Sequence, residues 1–148
     1  MSEKFFIEFS KRNSLRSNII GMRATYGLSV LKIKEELDEL SIFTADTSTS
    51  AGLERFRNSF PDSFYDCGIS EQCMIASAAG YVAEGGIALA STFAPFLVLR
   101  AAEQIRLSMG YMKLPLVVTG LASGIALGYL GYTPVSYTHL TLPTNREV

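Results

Sequence analysis

The sequence predicts an α/β fold, a three-layer sandwich around a mainly parallel sheet that is incomplete toward its C-terminal side. Short runs such as S-I-F-T-A-D, G-G-I-A-L-A-S-T and P-L-V-V-T-G are apolar at successive positions. That is the pattern of strands buried on both faces. Longer stretches with helical spacing separate these runs, and helices alternating with strands lead to a parallel sheet. Glycine, proline and hydroxyl residues punctuate the junctions.

Residues 1–21 read as a polar leader. From Met22 to Leu40 a helix is expected: Met22, Tyr26, Leu28, Leu31, Leu37 and Leu40 recur near helical spacing. Lys34 faces Asp38 one turn on, a modest supporting pair. The segment S-I-F-T-A-D then forms a strand ending in Asp46 and the loop T-S-T-S-A-G. F-R-N-S-F-P-D is a helical turn closed by Pro61, and S-F-Y-D-C-G a second strand. The next helix starts at Ser70, a favoured N-cap residue, and runs to about Ala83, with Glu71 complementing the helix dipole. Its Ala76, Ala78, Ala79 and Gly80 permit close approach of a neighbour. G-G-I-A-L-A-S-T is the third strand, F-A-P-F-L-V-L-R-A-A-E-Q-I-R-L-S-M-G-Y a longer helix, and P-L-V-V-T-G the fourth strand. Ligands meet such sheets at the carboxyl ends of the strands. Asp46, residues 68–71, residues 92–96 and Gly120 onward all fall on that rim.

Composition narrows the function classes. A chain of 148 residues suits one domain or a fragment of a larger protein, and 48% hydrophobic against 18% charged content supplies a core. A net charge of −1 leaves no footprint for nucleic acid. Lys11, Arg12, Arg16 and Arg23 are diluted by Ser and Asn and read as solvated surface. Cys67 and Cys73 have neither zinc-knuckle nor redox-pair spacing; as reduced thiols they suit a cytoplasmic protein. The N-terminus lacks the features of a signal peptide. Between Lys113 and His139 there is no formal charge, and Gly120, Gly124 and Gly128 have the spacing of a membrane helix pair. Pro115, Gly131 and Pro134 interrupt that stretch, so it reads as a buried strand entering a glycine-rich loop, with no membrane span. Residues 135–148 match nothing before them and read as a non-native tail of cloning or adapter origin, which removes His139 from consideration.

The stretch D-C-G-I-S-E-Q, residues 66–72, places Glu71 at the mouth of the small apolar segment C-M-I-A-S-A-A-G. The residue either favours a helix start, worth under about 1 kcal/mol, or meets a ligand that needs a carboxylate in a dry pocket. The order of landmarks bears on that choice. A-D-T-S near residue 45, F-P-D-S-F-Y-D-C-G-I-S-E-Q, S-T-F-A-P-F, A-A-E-Q-I-R and a glycine-rich segment closing on G-Y-T resemble the pyrimidine-binding domain of transketolase-like thiamine diphosphate enzymes. The likeness is greatest to the separately encoded C-terminal half of a split transketolase. It makes residues 22–134 a partial domain of this kind.

The resemblance implies that Glu71 hydrogen-bonds the pyrimidine ring nitrogen of thiamine diphosphate. A carboxylate sharing a proton there favours the imino tautomer, the basic form that the cofactor's chemistry uses. It also implies that Phe93 and Phe96 hold the aminopyrimidine ring, with Leu99 where a third aromatic often stands. Asp46 matches an acid near the thiazolium side, and Ile69 stands among the cofactor contacts. Without the resemblance, the phenylalanines read as core and Asp46 as a turn residue. The family's Gly-Asp-Gly…Asn motif for diphosphate and a divalent metal (Mg) is absent. Cofactor anchoring therefore falls to a partner, an N-terminal-type transketolase subunit, in a dimer of heterodimers. Pro134 stands where the family has a substrate-contacting histidine. The function implied is the pyrimidine side of a ketol transferase acting on sugar phosphates, inactive alone. Deoxyxylulose-phosphate synthase, the beta subunit of 2-oxo-acid dehydrogenases and a non-catalytic assembly domain are the alternatives.

Overall fold

The computed structural model describes residue 15 and residues 19–123. The tail at 135–148, Pro134, His139, Gly124 and Gly128 lie outside the described residues, as does most of the leader.

Helix α1 (Met22–Glu36) is closed by the Leu37 N–H donating to Ile33 O at 2.8 Å. It turns Gly27, Val30 and Lys34 inward, one face at helical spacing. Lys34 makes the expected pair with Asp38, Nζ to Oδ1 at 3.9 Å, and is part of the core as well. Its stem is buried, its ammonium donates to the Asp38 carbonyl, and it sits 5.8 Å from the centre of the Phe60 ring. Strand β1 (Leu40–Thr44) is buried at all five positions. Helix α2 (Glu54–Ser59) and a 3₁₀ turn (Pro61–Ser63) lead into the short strand β2 (Phe64–Asp66). Helix α3 (Glu71–Ala83) follows, then β3 (Ile87–Phe93). A composite helix, α4, consists of a π turn at Phe96–Arg100, an α segment at Ala102–Ile105 and a second π turn at Arg106–Tyr111. Strand β4 (Val117–Leu121) is the last described element.

All strands pair in parallel, in the order β2-β1-β3-β4. Register aligns Thr44 with both Asp66 and Ser91, and Phe93 with Leu121, so the carboxyl ends share one rim. Alternation of side chains divides the core. Leu40, Ile42 and Leu89 pack with Val30, Leu53 and Phe56 under α1 and α2. Phe43, Ala88 and Ala90 pack with Met74, Ile75, Ala78 and Leu97 under α3 and α4. The sandwich therefore has the three layers that the sequence implied. Strand β3 runs one residue further than expected, taking in Phe93.

The helix expected from about Ser70 begins at Glu71, but Ser70 does not cap it with its side chain. The Ser70 hydroxyl instead donates to Cys67 O at 2.7 Å, which tightens the loop entering the helix. Gly80, inside α3, has open space where a Cβ would be placed. Because glycine in a helix interior costs about 1 kcal/mol relative to alanine, Gly80→Ala is expected to raise the denaturation midpoint of the chain in urea.

Candidate functional site

The rim gathers its functional groups because β1 and β2 end level, at Thr44 and Asp66, and β3 runs two residues past Ser91 to Phe93. Asp66, closing β2, accepts hydrogen bonds at Oδ1 from the N–H groups of Asp46 (2.9 Å) and Gly68 (3.0 Å). One carboxylate thus ties the loop after β1 to the loop that delivers α3. Asp46 adopts a left-handed backbone, φ 53°, a conformation aspartate tolerates better than most residues. Its side chain is exposed.

Glu71 heads α3 with its side chain turned inward, and it ranks among the largest fully buried side chains of the protein. Its Oε2 accepts a 2.7 Å hydrogen bond from Nη1 of Arg100, 29 residues away on α4. The Arg100 guanidinium also lies over the Phe96 ring, 4.5 Å from its centre. Phe96 in turn meets Phe93 edge-on, with ring centres 6.2 Å apart at 81°. The site is a buried carboxylate beside an aromatic face, with a planar cation lying against both.

Thr92 Oγ1 and Gln104 Oε1 are buried without a hydrogen-bond partner among the described residues. Strand alternation places Thr92 on the face covered by α3 and α4. Behind the sheet, on the α1 side, the Tyr26 hydroxyl hydrogen-bonds the Ser91 hydroxyl, and burial pushes its pKa up against the pull of Ser91 and Thr119. Thr47 Oγ1 bonds Thr44 Oγ1 at 2.7 Å and donates to Ser91 O at 3.3 Å, which fixes the β1 loop on β3. Cys67 and Cys73 flank Glu71 as free thiols. Burial, with Cys73 and Asp66 adding to it, pushes the Cys67 thiol up.

Of the residues the sequence singled out, Glu71, Phe93 and Phe96 form this cluster. Asp46 and Ile69 stand on the same rim, both exposed, outside it. Leu99 is exposed on α4. Arg100 escaped notice, although a lone cation closing the run F-L-V-L, four residues after Phe96, was a usable signal. Asp66 escaped too, because an acid at a strand end gives no hint that it gathers two loops.

The cluster fits the pyrimidine half of thiamine diphosphate: an acceptor held away from water and a flat apolar face are what an aminopyrimidine edge and ring require. Among the described residues no three His, Cys, Asp or Glu side chains come together as a metal site. Nor is any helix there long and apolar enough to cross a membrane.

Comparison with known proteins identifies the family. Residues 18–142 match the family "transketolase, pyrimidine binding domain". A Methanocaldococcus jannaschii protein provisionally described as a transketolase C-terminal section is 36% identical over 73% of this chain and 34% of its own length. One of the subunits of an apulose-4-phosphate transketolase from Actinobacillus succinogenes is 34% identical over 68% of this chain and 32% of its own. A solved split-gene transketolase, described as an inactive beta4 tetramer, superposes with a TM-score of 0.63 at 36% identity. It covers 70% of this chain and 34% of the solved one. The chain therefore spans about a third of the length of these relatives.

Proposed function

Because the chain belongs to the transketolase pyrimidine-binding domain family, we propose that it supplies the pyrimidine-holding side of a thiamine-diphosphate-dependent ketol transferase acting on sugar phosphates. The observation that carries this reading is Glu71, a carboxylate buried at a helix start with Phe96 beside it. Such a group has no structural need to be there: a helix start is served as well by an exposed acid, without desolvation.

Bound thiamine diphosphate would supply the nucleophilic carbon for transfer of the ketol unit. Glu71 would accept and hold a proton at Oε2, against the pyrimidine nitrogen, where water cannot compete for it. Phe96 and Phe93 would fix the plane of the ring. Diphosphate and magnesium would be held by a partner subunit. The exposed apolar residues Ile69, Val98, Leu99 and Leu107, on the rim and on α4, support a protein docking surface. The solved relative, inactive as a beta4 tetramer, supports the same division of labour. Two free thiols suit a reducing compartment, so a cytoplasmic location belongs to this reading.

The test is to mix the chain with a subunit carrying the diphosphate site and titrate thiamine diphosphate and magnesium, following near-ultraviolet circular dichroism. A saturable signal that needs both subunits is expected. Assembly of the two subunits with no cofactor signal would make the chain a structural domain instead.

A further inference from the structure

The seat that this reading reserves for a ring is taken by a side chain of the protein itself. A guanidinium is flat, cationic, rich in N–H donors and able to stack on aromatic faces. Arg100 meets both groups at once, with Nη1 on Glu71 at 2.7 Å and its guanidinium carbon over the Phe96 ring, 4.5 Å from the centre. A protonated aminopyrimidine offers the same two handles, an N–H edge and a flat face. Both groups cannot hold one carboxylate edge and one ring face together.

Resting on the proposed function, we propose that Arg100 is a displaceable gate: its guanidinium fills the Glu71–Phe96 site until an aminopyrimidine ring expels it. The two partners are unequally placed for such an exchange. The Arg100 side chain is 46% exposed, that of Glu71 2%. Arg100 can therefore be solvated once a ring replaces it on Glu71, which stays in the dry site. Nor is a rival acid waiting on the next turn of α4, since Glu103 is engaged by Nε of Arg106 at 2.8 Å.

The backbone suits a residue that moves. Phe96–Arg100 is a π turn, closed by Ala101 N–H donating to Phe96 O at 3.2 Å, and Ala101 leaves helical geometry at φ −103°. Single π turns inside α-helices recur at functional sites. In the absence of a ligand the gate spares the fold an unpaired buried charge, which is strongly destabilising. The consequence is a reduced apparent affinity, because only the open fraction of molecules can bind.

Thiamine, which lacks the diphosphate and so reports on the ring site without diphosphate anchoring, is the probe. The full chain, labelled with ¹⁵N and assembled with the subunit that carries the diphosphate site, is titrated with thiamine while the Arg100 side-chain N–H signal is followed. At saturation that signal is expected to move to the position of a free, solvent-exchanging guanidinium. Arg100→Gln is expected to bind thiamine about tenfold tighter, as removal of a competing closed state requires. Arg100→Lys keeps the charge but cannot stack and bridge as a guanidinium does, and is expected to fall between. If Arg100→Gln does not fold, the wild-type signal decides alone.

An Arg100 signal unmoved at saturation, or Arg100→Gln binding no tighter than wild type, overturns the gate. Loss of thiamine binding in Glu71→Gln under those same outcomes leaves the proposed function standing. Equal binding by wild type and Glu71→Gln, or binding by neither wild type nor the Arg100 variants, overturns both.

Discussion

Glu71→Gln, made in the proposed two-subunit enzyme, is expected to lower kcat by about 10³-fold, the scale of a lost proton-handling group. The substitution is nearly isosteric. Its amide oxygen can still accept from Nη1 of Arg100, which sits 2.7 Å away in the wild type. Should that bond fail, Arg100 is exposed enough to be solvated. The stability cost is therefore held to about 1 kcal/mol, the net worth of one hydrogen bond. What the amide cannot do is take up and hold a proton. A loss of turnover with an unchanged circular dichroism spectrum and a melting temperature within a few degrees of wild type separates chemistry from folding. Turnover within about threefold of wild type would remove Glu71 from the mechanism, since general acid–base groups contribute at least ~10².

The contrast with Arg100 sharpens the argument. Removing the exposed partner leaves the buried one uncompensated, and removing the buried partner does not leave the reverse problem. The pair is thus asymmetric: one side fixed in the protein, the other able to move.

Much of this was legible in the chain because local pattern and tertiary structure agree. The runs S-I-F-T and I-A-L-A follow from strands covered on both faces, and β1, buried at each position, obeys that rule most fully. Strand β4, at the edge of the described sheet, has no buried position and departs from the buried strand expected of L-V-V-T. The start of α3 at Glu71 was visible from Ser70 and the small residues after it, although the serine's own hydroxyl turned to Cys67 O. What remained hidden depends on contacts distant in sequence. Lys34 reads as half of a pair with Asp38, which the structure keeps, but its burial against the Phe60 ring with the ammonium on the Asp38 carbonyl is not visible in the sequence. Arg100 is 29 residues from Glu71, and no periodicity links a helix start to the end of a π turn on another helix. The π turns themselves carry no composition signal, so α4 reads as one regular helix. Phe93 reads as the start of that helix, whereas pairing with Leu121 holds it in β3.

Gly27→Ala is expected to destabilise the chain by about 3 kcal/mol, the upper range for forcing extra volume into a packed site. A Cβ at Gly27 would lie 2.1 Å from the Gly52 carbonyl oxygen and 3.0 Å from its carbonyl carbon. Both are backbone atoms, so no side chain can rotate away. The loop that carries them is pinned by Ala51 N–H on Thr47 O (2.8 Å), Gly52 N–H on Thr49 O (3.0 Å) and Leu53 N–H on Ser48 O (2.9 Å). Gly52 itself has φ +72°, and a Cβ there would meet Arg23 O at 2.8 Å, so the two backbones touch without a side chain between them. Alanine's better helix propensity returns about 1 kcal/mol, too little to offset a 2.1 Å contact with backbone that cannot rotate away. In a domain of this size the net loss corresponds to a fall of roughly 10 °C in melting temperature. The same exchange at Gly80, where a Cβ meets nothing within 4 Å, has the opposite sign. Comparing the two variants by urea denaturation therefore cancels any general effect of glycine on the unfolded chain and isolates the close approach. A Gly27→Ala midpoint at or above wild type would mean that α1 does not rest on the Thr47–Leu53 loop. The effect would reach the site as well, because pushing α1 outward draws Tyr26, next to Gly27, away from Ser91 on β3, one residue from the buried Thr92.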